Sequence, residues 1–261
     1  MAYLSKRFFR RGDSMVRVLG INGSPRKYGN TIKLLLVALK AAEKLGAETE
    51  LVHLYDYDIK PCLGCLCDKQ TACGYPCVID DDMKILYDKI LDSNAVIIST
   101  PIYWFAPSGV VKNFIDRLTA LENMIYIDGK SWAEGKVAGV IACGNDSGCI
   151  QVVANLYATL VSMGFAIPPW ALAYFNTRGD VLKDDSILLD AANVGRVIVL
   201  AAQALKRLER KWYDSDLLEF VREIRRSVED YIRAEWEKEK SVRENIVRRA
   251  EKKIFSAVKR G

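Results

Sequence analysis

Hydrophobic positions along the chain fall into two kinds of run. Val16–Ile21 (VRVLGI), Ala95–Thr100 (AVIIST) and Lys136–Cys143 (KVAGVIAC) are short, nearly continuous apolar blocks. Such blocks mark strands buried on both faces of a parallel sheet. Leu51–Tyr55 and Phe165–Leu172 are the expected second and fifth strands. Between them the spacing changes to that of helices. Thr31–Leu45 has apolar residues at Ile32, Leu35, Leu36 and Leu39, closed by Gly46. Further helices are expected from Asp80-Asp81-Asp82 to about Leu91, over Gly109–Leu121, from Cys149 to about Met163, and over Ile187–Leu208. The alternation predicts an α/β fold: a five-stranded parallel sheet covered on both faces, with right-handed crossovers.

The polar residues then decide what such a sheet is for. Val16–Thr31 reads as strand, small loop and helix N-terminus, where loop and helix amides converge on an anion. The loop has neither the three glycines of GxGxxG nor the Gly-Lys-Ser/Thr of a P-loop. Ser24, Asn30 and Thr31 offer neutral donors and Arg26 a cation, a set that suits the phosphate of flavin mononucleotide (FMN). An ordinary strand-to-helix turn capped by Asn30 or Thr31 uses the same residues. The third strand empties into Pro101-Ile102-Tyr103-Trp104-Phe105-Ala106-Pro107-Ser108-Gly109, three aromatics between prolines where open sheets bind ligands. The fourth empties into Gly144-Asn145-Asp146-Ser147-Gly148-Cys149. All three loops follow strands on one edge of the sheet, so one ligand touches all three.

The end of the chain has another pattern. Beyond Lys211, Lys and Arg alternate with Glu around narrow apolar stripes, Leu217, Phe220, Val221, Ile224, Val228, Tyr231 and Ile232, then Ile246, Val247, Ala250 and Ile254. That spacing predicts a solvated extension of amphipathic helices that packs on the body or on a partner subunit. The organisation expected is a basic arm over 1–14, a ligand-binding domain over 15–211 with a cysteine-rich loop at 60–78, and a charged helical extension over 212–261. Met15 directly precedes the first strand, so residues 1–14 are expected to be either a flexible arm or an over-called start.

Composition narrows the classes. Lys and Arg number 38 against 33 Asp and Glu among 261 residues, a modest excess, and acidic residues interrupt nearly every basic run; nucleic acid is not an expected partner. No apolar run in the sequence approaches the roughly 20 residues of a membrane span, and the basic start is not followed by the apolar segment of a signal peptide. A cytoplasmic location with no membrane association is therefore expected. His53, the single histidine, alternates with apolar strand neighbours and reads as a packed structural residue.

Five of the seven cysteines lie between Cys62 and Cys77, spaced Cys62-x2-Cys65-x1-Cys67-x5-Cys73-x3-Cys77. In a cytoplasmic chain such a cluster points to ligation before disulfides. Four of these five thiolates satisfy a cubic 4Fe–4S cluster, or tetrahedral zinc; two disulfides and a free thiol are the structural alternative. Cys143 and Cys149 read as small buried residues.

These motifs in this order resemble the flavodoxin-like NAD(P)H-dependent FMN reductases, and among them the iron–sulfur flavoproteins of archaea and anaerobes. The resemblance spans about Val16–Lys211 and rests on GSPRKYGNT, on the cysteines running into Val78-Ile79-Asp80-Asp81-Asp82-Met83, and on TPIYWFAPSG followed by VKNFIDR. It implies a flavodoxin-like three-layer sandwich. It also implies an FMN phosphate at Ser24, Arg26, Asn30 and Thr31, and an isoalloxazine along Pro101, Ile102, Tyr103, Trp104 and Phe105. The ring's polar edge would lie at Gly144, with Asn145 and Asp146 beside it. No catalytic side chain is expected, because the flavin itself accepts and passes electrons. The family motif Cys-x2-Cys-x2-Cys-x4–7-Cys matches at Cys62, Cys65 and Cys77; Cys67 comes one residue early and Cys73 is extra, leaving the third ligand open.

The resemblance thus implies an FMN-dependent oxidoreductase passing electrons from a ferredoxin or NAD(P)H through FMN and a 4Fe–4S cluster, in a homodimer or homotetramer. Two alternatives stand beside it: an NAD(P)H-dependent FMN or quinone reductase without a cluster, and a non-catalytic flavodoxin-fold interaction protein with structural zinc.

Overall fold

The computed structural model describes residues 15–206, 208, 212–214 and 216–258; the basic arm expected over 1–14 lies outside the described residues. The described chain divides into two compact units between Trp212 and Tyr213.

The first unit is built on five parallel strands. They are β1 (Arg17–Asn22), β2 (Glu48–His53), β3 (Ala95–Tyr103), β5 (Val137–Cys143) and β6 (Leu172–Phe175), in the order β2-β1-β3-β5-β6. A two-residue strand, β4 (Ala106–Pro107), folds back antiparallel onto the end of β3. The sheet therefore has six strands where five were expected, the addition being the return leg of the aromatic loop. β3 and β5 lie at its centre, and β5 is buried along its whole length, which is why both read as unbroken apolar runs.

Helices cover both faces. On one, α1 (Asn30–Lys44) and α8 (Asp185–Leu205) bury Leu34, Leu35, Ala38, Val194, Ile198 and Val199 against the sheet. Gly195 lets them meet: a Cβ there would stand 1.9 Å from the Ala38 carbonyl oxygen. On the other face, α3 (Met83–Asp92), α4 (Gly109–Arg117) and α7 (Cys149–Ser162) bury Met83, Leu86, Phe114, Val152 and Leu156. The result is the expected three-layer sandwich. Against the sequence reading that no segment approaches a membrane span, α8 is long and apolar enough by length and composition. Ile187, Ala191, Val194 and Ile198 pack one of its faces into the core, while Leu189 and Leu200 are exposed.

Several expected boundaries move. The fifth strand is Leu172–Phe175, not Phe165–Leu172, because Pro168 and Pro169 remove two ladder donors. Ala166 makes only an isolated bridge to Val137. The helix expected over Gly109–Leu121 stops at Arg117 and resumes as two single turns, α5 (Thr119–Glu122) and α6 (Ile125–Asp128). Another single turn, α2 (Cys65–Asp68), lies in the cysteine loop.

The second unit is one helix, α9 (Leu217–Val258), where several were expected. Its 42 residues span about 63 Å. Val221, Ile224, Val228, Ile232, Val242, Ile246 and Ile254 form an exposed apolar stripe along it.

Candidate functional site

Strand register brings the three candidate loops to one edge. Asn22 at the end of β1 pairs with Ser99 of β3, and Pro101 of β3 pairs with Cys143 at the end of β5. The loops are tied to one another beyond that edge. Gly23 N–H donates to the Ser99 carbonyl at 2.8 Å, and the Ser108 hydroxyl donates to the Gly23 carbonyl at 2.7 Å. Gly144 and Gly148 leave room for the aromatic loop: a Cβ on Gly144 would come within 2.9 Å of Ile102, and one on Gly148 within 3.0 Å of Phe105.

The first loop is held from below and open above. The buried Asn22 accepts from Ser24 N–H, while its amide donates to the Ser24 carbonyl and meets His53 Nδ1 at 2.9 Å. His53 is thus a structural tie at the end of β2, as its setting implied. Burial, reinforced by Lys27, holds its pKa below the ordinary value against the pull of Asp56. Ser24 is buried and its hydroxyl accepts from Arg26 N–H. Helix α1 begins at Gly29 with no side-chain cap, which leaves its first-turn amides available to an anion. The side chain of Arg26 is exposed at this entrance.

Asn30 and Thr31 are partly diverted. Asn30 donates to the Gly179 carbonyl at 2.8 Å and accepts from Val181 N–H, bridging α1 to the segment after β6. Thr31 is buried, its hydroxyl against the Cys143 thiol and its carbonyl receiving the Ser99 hydroxyl. Their backbone amides remain at the helix start; their side chains mostly brace the loop.

The aromatic loop is strained and open to solvent. Trp104 and Phe105 occupy successive left-handed conformations, φ 52° and 64°, which non-glycine residues adopt only when their surroundings hold them. Trp104 is 94% exposed, and Tyr103 and Phe105 are exposed beside it, whereas Pro101 is buried and Ile102 half-buried. Gly144 is half-buried, while Asn145 and Asp146 are exposed on the third loop. Burial pushes Cys143 up to about 12 and Cys149 up to about 11, so both stay neutral thiols. A flat aromatic ligand with a phosphate fits this edge: uncapped amides at one end, apolar rings along the middle, small residues at the other.

The cysteine loop is fixed at its base by α4. Arg117 and Asp81 are both sealed from solvent and bonded in bidentate fashion, Nη1 to Oδ2 at 2.6 Å and Nη2 to Oδ1 at 3.2 Å. Asp81 also accepts from the backbone N–H groups of Lys60 and Met83, and Arg117 Nη1 donates to the Lys60 carbonyl. One ion pair thus grips both ends of the loop. Burial alone would raise the Asp81 pKa, but Arg117 and the two amides hold it below the ordinary range. Asn113 donates to the Ile59 carbonyl, and Asn123 donates to the carbonyls of Gln70 and Cys73. Tyr75 packs edge-on to Tyr87, with ring centroids 5.8 Å apart, and against Trp132. Asp81, Asn113 and Arg117 stand in two of the motifs that carry the resemblance, but with no anchoring role assigned to them. Asp81 stood at the start of an expected helix, and nothing in the spacing linked it to Arg117.

All seven cysteines are free thiols. Among the described residues, no three His, Cys, Asp or Glu side chains converge closely enough to hold a metal ion. Four thiols nevertheless share one neighbourhood. Cys73 is pushed up to about 11 by burial first and then by Cys62, Cys77 and Cys65. Gly64, in a left-handed turn, donates its N–H to the Cys62 sulfur at 3.4 Å. Cys67 stands apart: it is exposed and two positions after Cys65 in α2, where side chains point away from each other. A shallow concavity of about 420 Å³ lined by Glu122, Ala158, Thr159, Ser162 and Met163 lies at the C-terminal end of α7, away from the three loops.

The chain is similar to known proteins in sequence and in fold. The family model for NADPH-dependent FMN reductase matches residues 16–177. An iron–sulfur flavoprotein of Archaeoglobus fulgidus is 34% identical over 204 residues, 77% of this chain and 87% of that protein. One of Methanocaldococcus jannaschii is 29% identical over 203 residues, 74% of this chain and 100% of that protein. Among solved structures, RosB with bound 8-demethyl-8-formylriboflavin-5'-phosphate superposes with a TM-score of 0.66 at 23% identity, covering 81% of this chain and 87% of that one.

Proposed function

The chain belongs to the NADPH-dependent FMN reductase family and is an FMN-dependent oxidoreductase, and from that premise we propose that it relays electrons between FMN and a 4Fe–4S cluster in its cysteine loop. FMN, when bound, supplies hydride and single-electron chemistry. The protein's part is to bind and orient it. The uncapped amides of α1 with Ser24 and Arg26 take the phosphate; Pro101, Ile102, Tyr103, Trp104 and Phe105 flank the isoalloxazine. The loop at Gly144 and Asn145 would border its polar edge; the Gly144 N–H is itself committed to the Phe175 carbonyl at 2.8 Å, so a donor to the reduced ring would come from the residues that follow it. Asn30 and Thr31 contribute through backbone amides while their side chains brace the loop.

The observation that bears most on the cluster is the grouping of thiols. Cys62, Cys77 and Cys65 lie in the electrostatic surroundings of Cys73, and Cys67 does not figure among them. The N–H donated to the Cys62 sulfur is what a ligating thiolate needs. We therefore take Cys62, Cys65, Cys73 and Cys77 as the ligand set, spaced Cys-x2-Cys-x7-Cys-x3-Cys. The electron donor is a ferredoxin or NAD(P)H. The assembly is a homodimer or homotetramer in the cytoplasm, and the exposed stripe of α9 supports self-association. A second reading, an NAD(P)H-dependent FMN or quinone reductase without a cluster, is favoured by the open spacing of the thiols among the described residues.

Elemental analysis of protein purified without oxygen separates these readings. The cluster reading expects FMN with about four iron and four sulfide per chain. It expects iron to be lost in Cys62→Ser, Cys65→Ser, Cys73→Ser and Cys77→Ser, and retained in Cys67→Ser, with FMN bound in all five. FMN without iron supports the second reading; zinc without iron or FMN overturns both.

A further inference from the structure

Among the described residues, α9 is the only element of the second unit, and its apolar stripe is exposed. A long amphipathic helix of this kind needs a second surface to cover its stripe. The stripe reads nearly the same from either end. Val221 and Ile254, Val228 and Ile246, and Ile232 and Val242 stand about equally far on either side of Glu237. Two copies laid antiparallel therefore set apolar positions on apolar positions along the whole helix. Charge then selects the direction. Residues 217–232 carry three basic and four acidic side chains, and residues 242–258 carry five basic and two acidic. Parallel copies would place the two basic halves together, whereas antiparallel copies place each basic half on a slightly acidic one. The middle, residues 233–241, holds three charges of each sign and can meet itself without net repulsion. A strip about 63 Å long and about 10 Å wide covers roughly 600 Å² on each helix. The pair would bury roughly 1,200 Å² in total, the lower end of what a specific dimer needs.

We infer that α9 pairs with α9 of a second copy of this chain as an antiparallel two-helix coil. The N-terminal half of each helix lies on the C-terminal half of the other. The inference rests on the self-association proposed above, to which it adds the surface and the direction; it does not depend on a cluster in the cysteine loop.

The test is photo-crosslinking of the full-length chain, with Phe220 replaced by photoreactive benzoylphenylalanine. Irradiation should yield a covalent dimer in which position 220 is joined to residues 249–258. A covalent dimer joined through residues 217–232 overturns the antiparallel arrangement, and the absence of any covalent dimer overturns the pairing. Charge reversal at exposed positions gives a second measurement. Arg249→Glu/Lys253→Glu turns the basic half slightly acidic and should weaken self-association about tenfold, read by sedimentation. A parallel pair would tighten instead, so an unchanged or tighter association overturns the inference. Adding Glu223→Lys/Glu229→Lys to the same chain exchanges the charges of the two halves and should restore the wild-type association. Failure to restore it overturns the inference. FMN uptake is measured on the same preparations: a chain that takes up no FMN overturns the flavin reading, whatever the cross-links show.

Discussion

Arg117 and Asp81, 36 residues apart in sequence, form a bidentate ion pair whose side chains are 1% and 0% exposed. Buried pairs of this kind add little over a well-packed apolar pair, but breaking one leaves a charge stranded. Asp81→Ala should therefore cost about 3–5 kcal/mol. It should also free both ends of the cysteine loop, since the Lys60 and Met83 amides lose the same acceptor. Urea denaturation gives the cost, and limited proteolysis within 60–81 reports the release.

The same pair sets a pH dependence. Asp81 has a folded-state pKa below its unfolded value, so its contribution is fully present above the unfolded pKa of about 3.9. It disappears as pH falls through the lower, folded value. The stability gap between wild type and Asp81→Asn should be constant from neutral pH down to about 5 and close progressively below about 3.9. A gap that widened on acidification would contradict the assignment.

Gly195 makes the contact between α1 and α8 possible. In Gly195→Ala the new methyl meets the Ala38 backbone, at 1.9 Å before any relaxation, and the two helices must separate. A loss of about 1–3 kcal/mol is expected, visible as a lower denaturation midpoint. Gly109→Ala is the control: a Cβ there has nothing within 4 Å and should cost almost nothing.

The left-handed backbone of Trp104 stores strain at the edge where the three loops meet. Trp104→Gly adopts φ 52° without that penalty and removes an exposed ring rather than a core one. The protein should lose no stability, and FMN affinity should fall several-fold. Thermal unfolding and a flavin fluorescence titration on the same preparation check both.

Arg26 stands exposed at the mouth of the phosphate loop, where Arg26→Glu would place an anion without disturbing buried Ser24. FMN affinity should weaken about tenfold, roughly 1.4 kcal/mol, and riboflavin, which has no phosphate, should bind unchanged. The loss should shrink as salt is added, since the site is open to solvent.

Local pattern made much of this molecule legible. The continuous apolar runs of β1, β3 and β5 identified the sheet's centre, and the small or aromatic loops after them do come together at one edge of it. The fifth strand was misplaced because FAIPPWAL is apolar enough to read as a strand, while its prolines withhold the hydrogen bonds a strand needs. Asn30 read as a phosphate donor because sequence could not reveal Gly179, 149 residues away, as its partner. The Arg117–Asp81 anchor was hidden for the same reason. Three consecutive aspartates before a helix look like a cap, and only the folded chain shows one of them buried against an arginine from another helix.

FMN binding tests the central claim most directly. Flavin-free, full-length protein titrated with FMN under anaerobic conditions should bind one FMN per chain with a Kd of about micromolar or below, and addition of NAD(P)H or a reduced ferredoxin should bleach the bound flavin's visible absorption. A chain that takes up no FMN, or binds it and leaves it oxidised with every donor, would contradict this account.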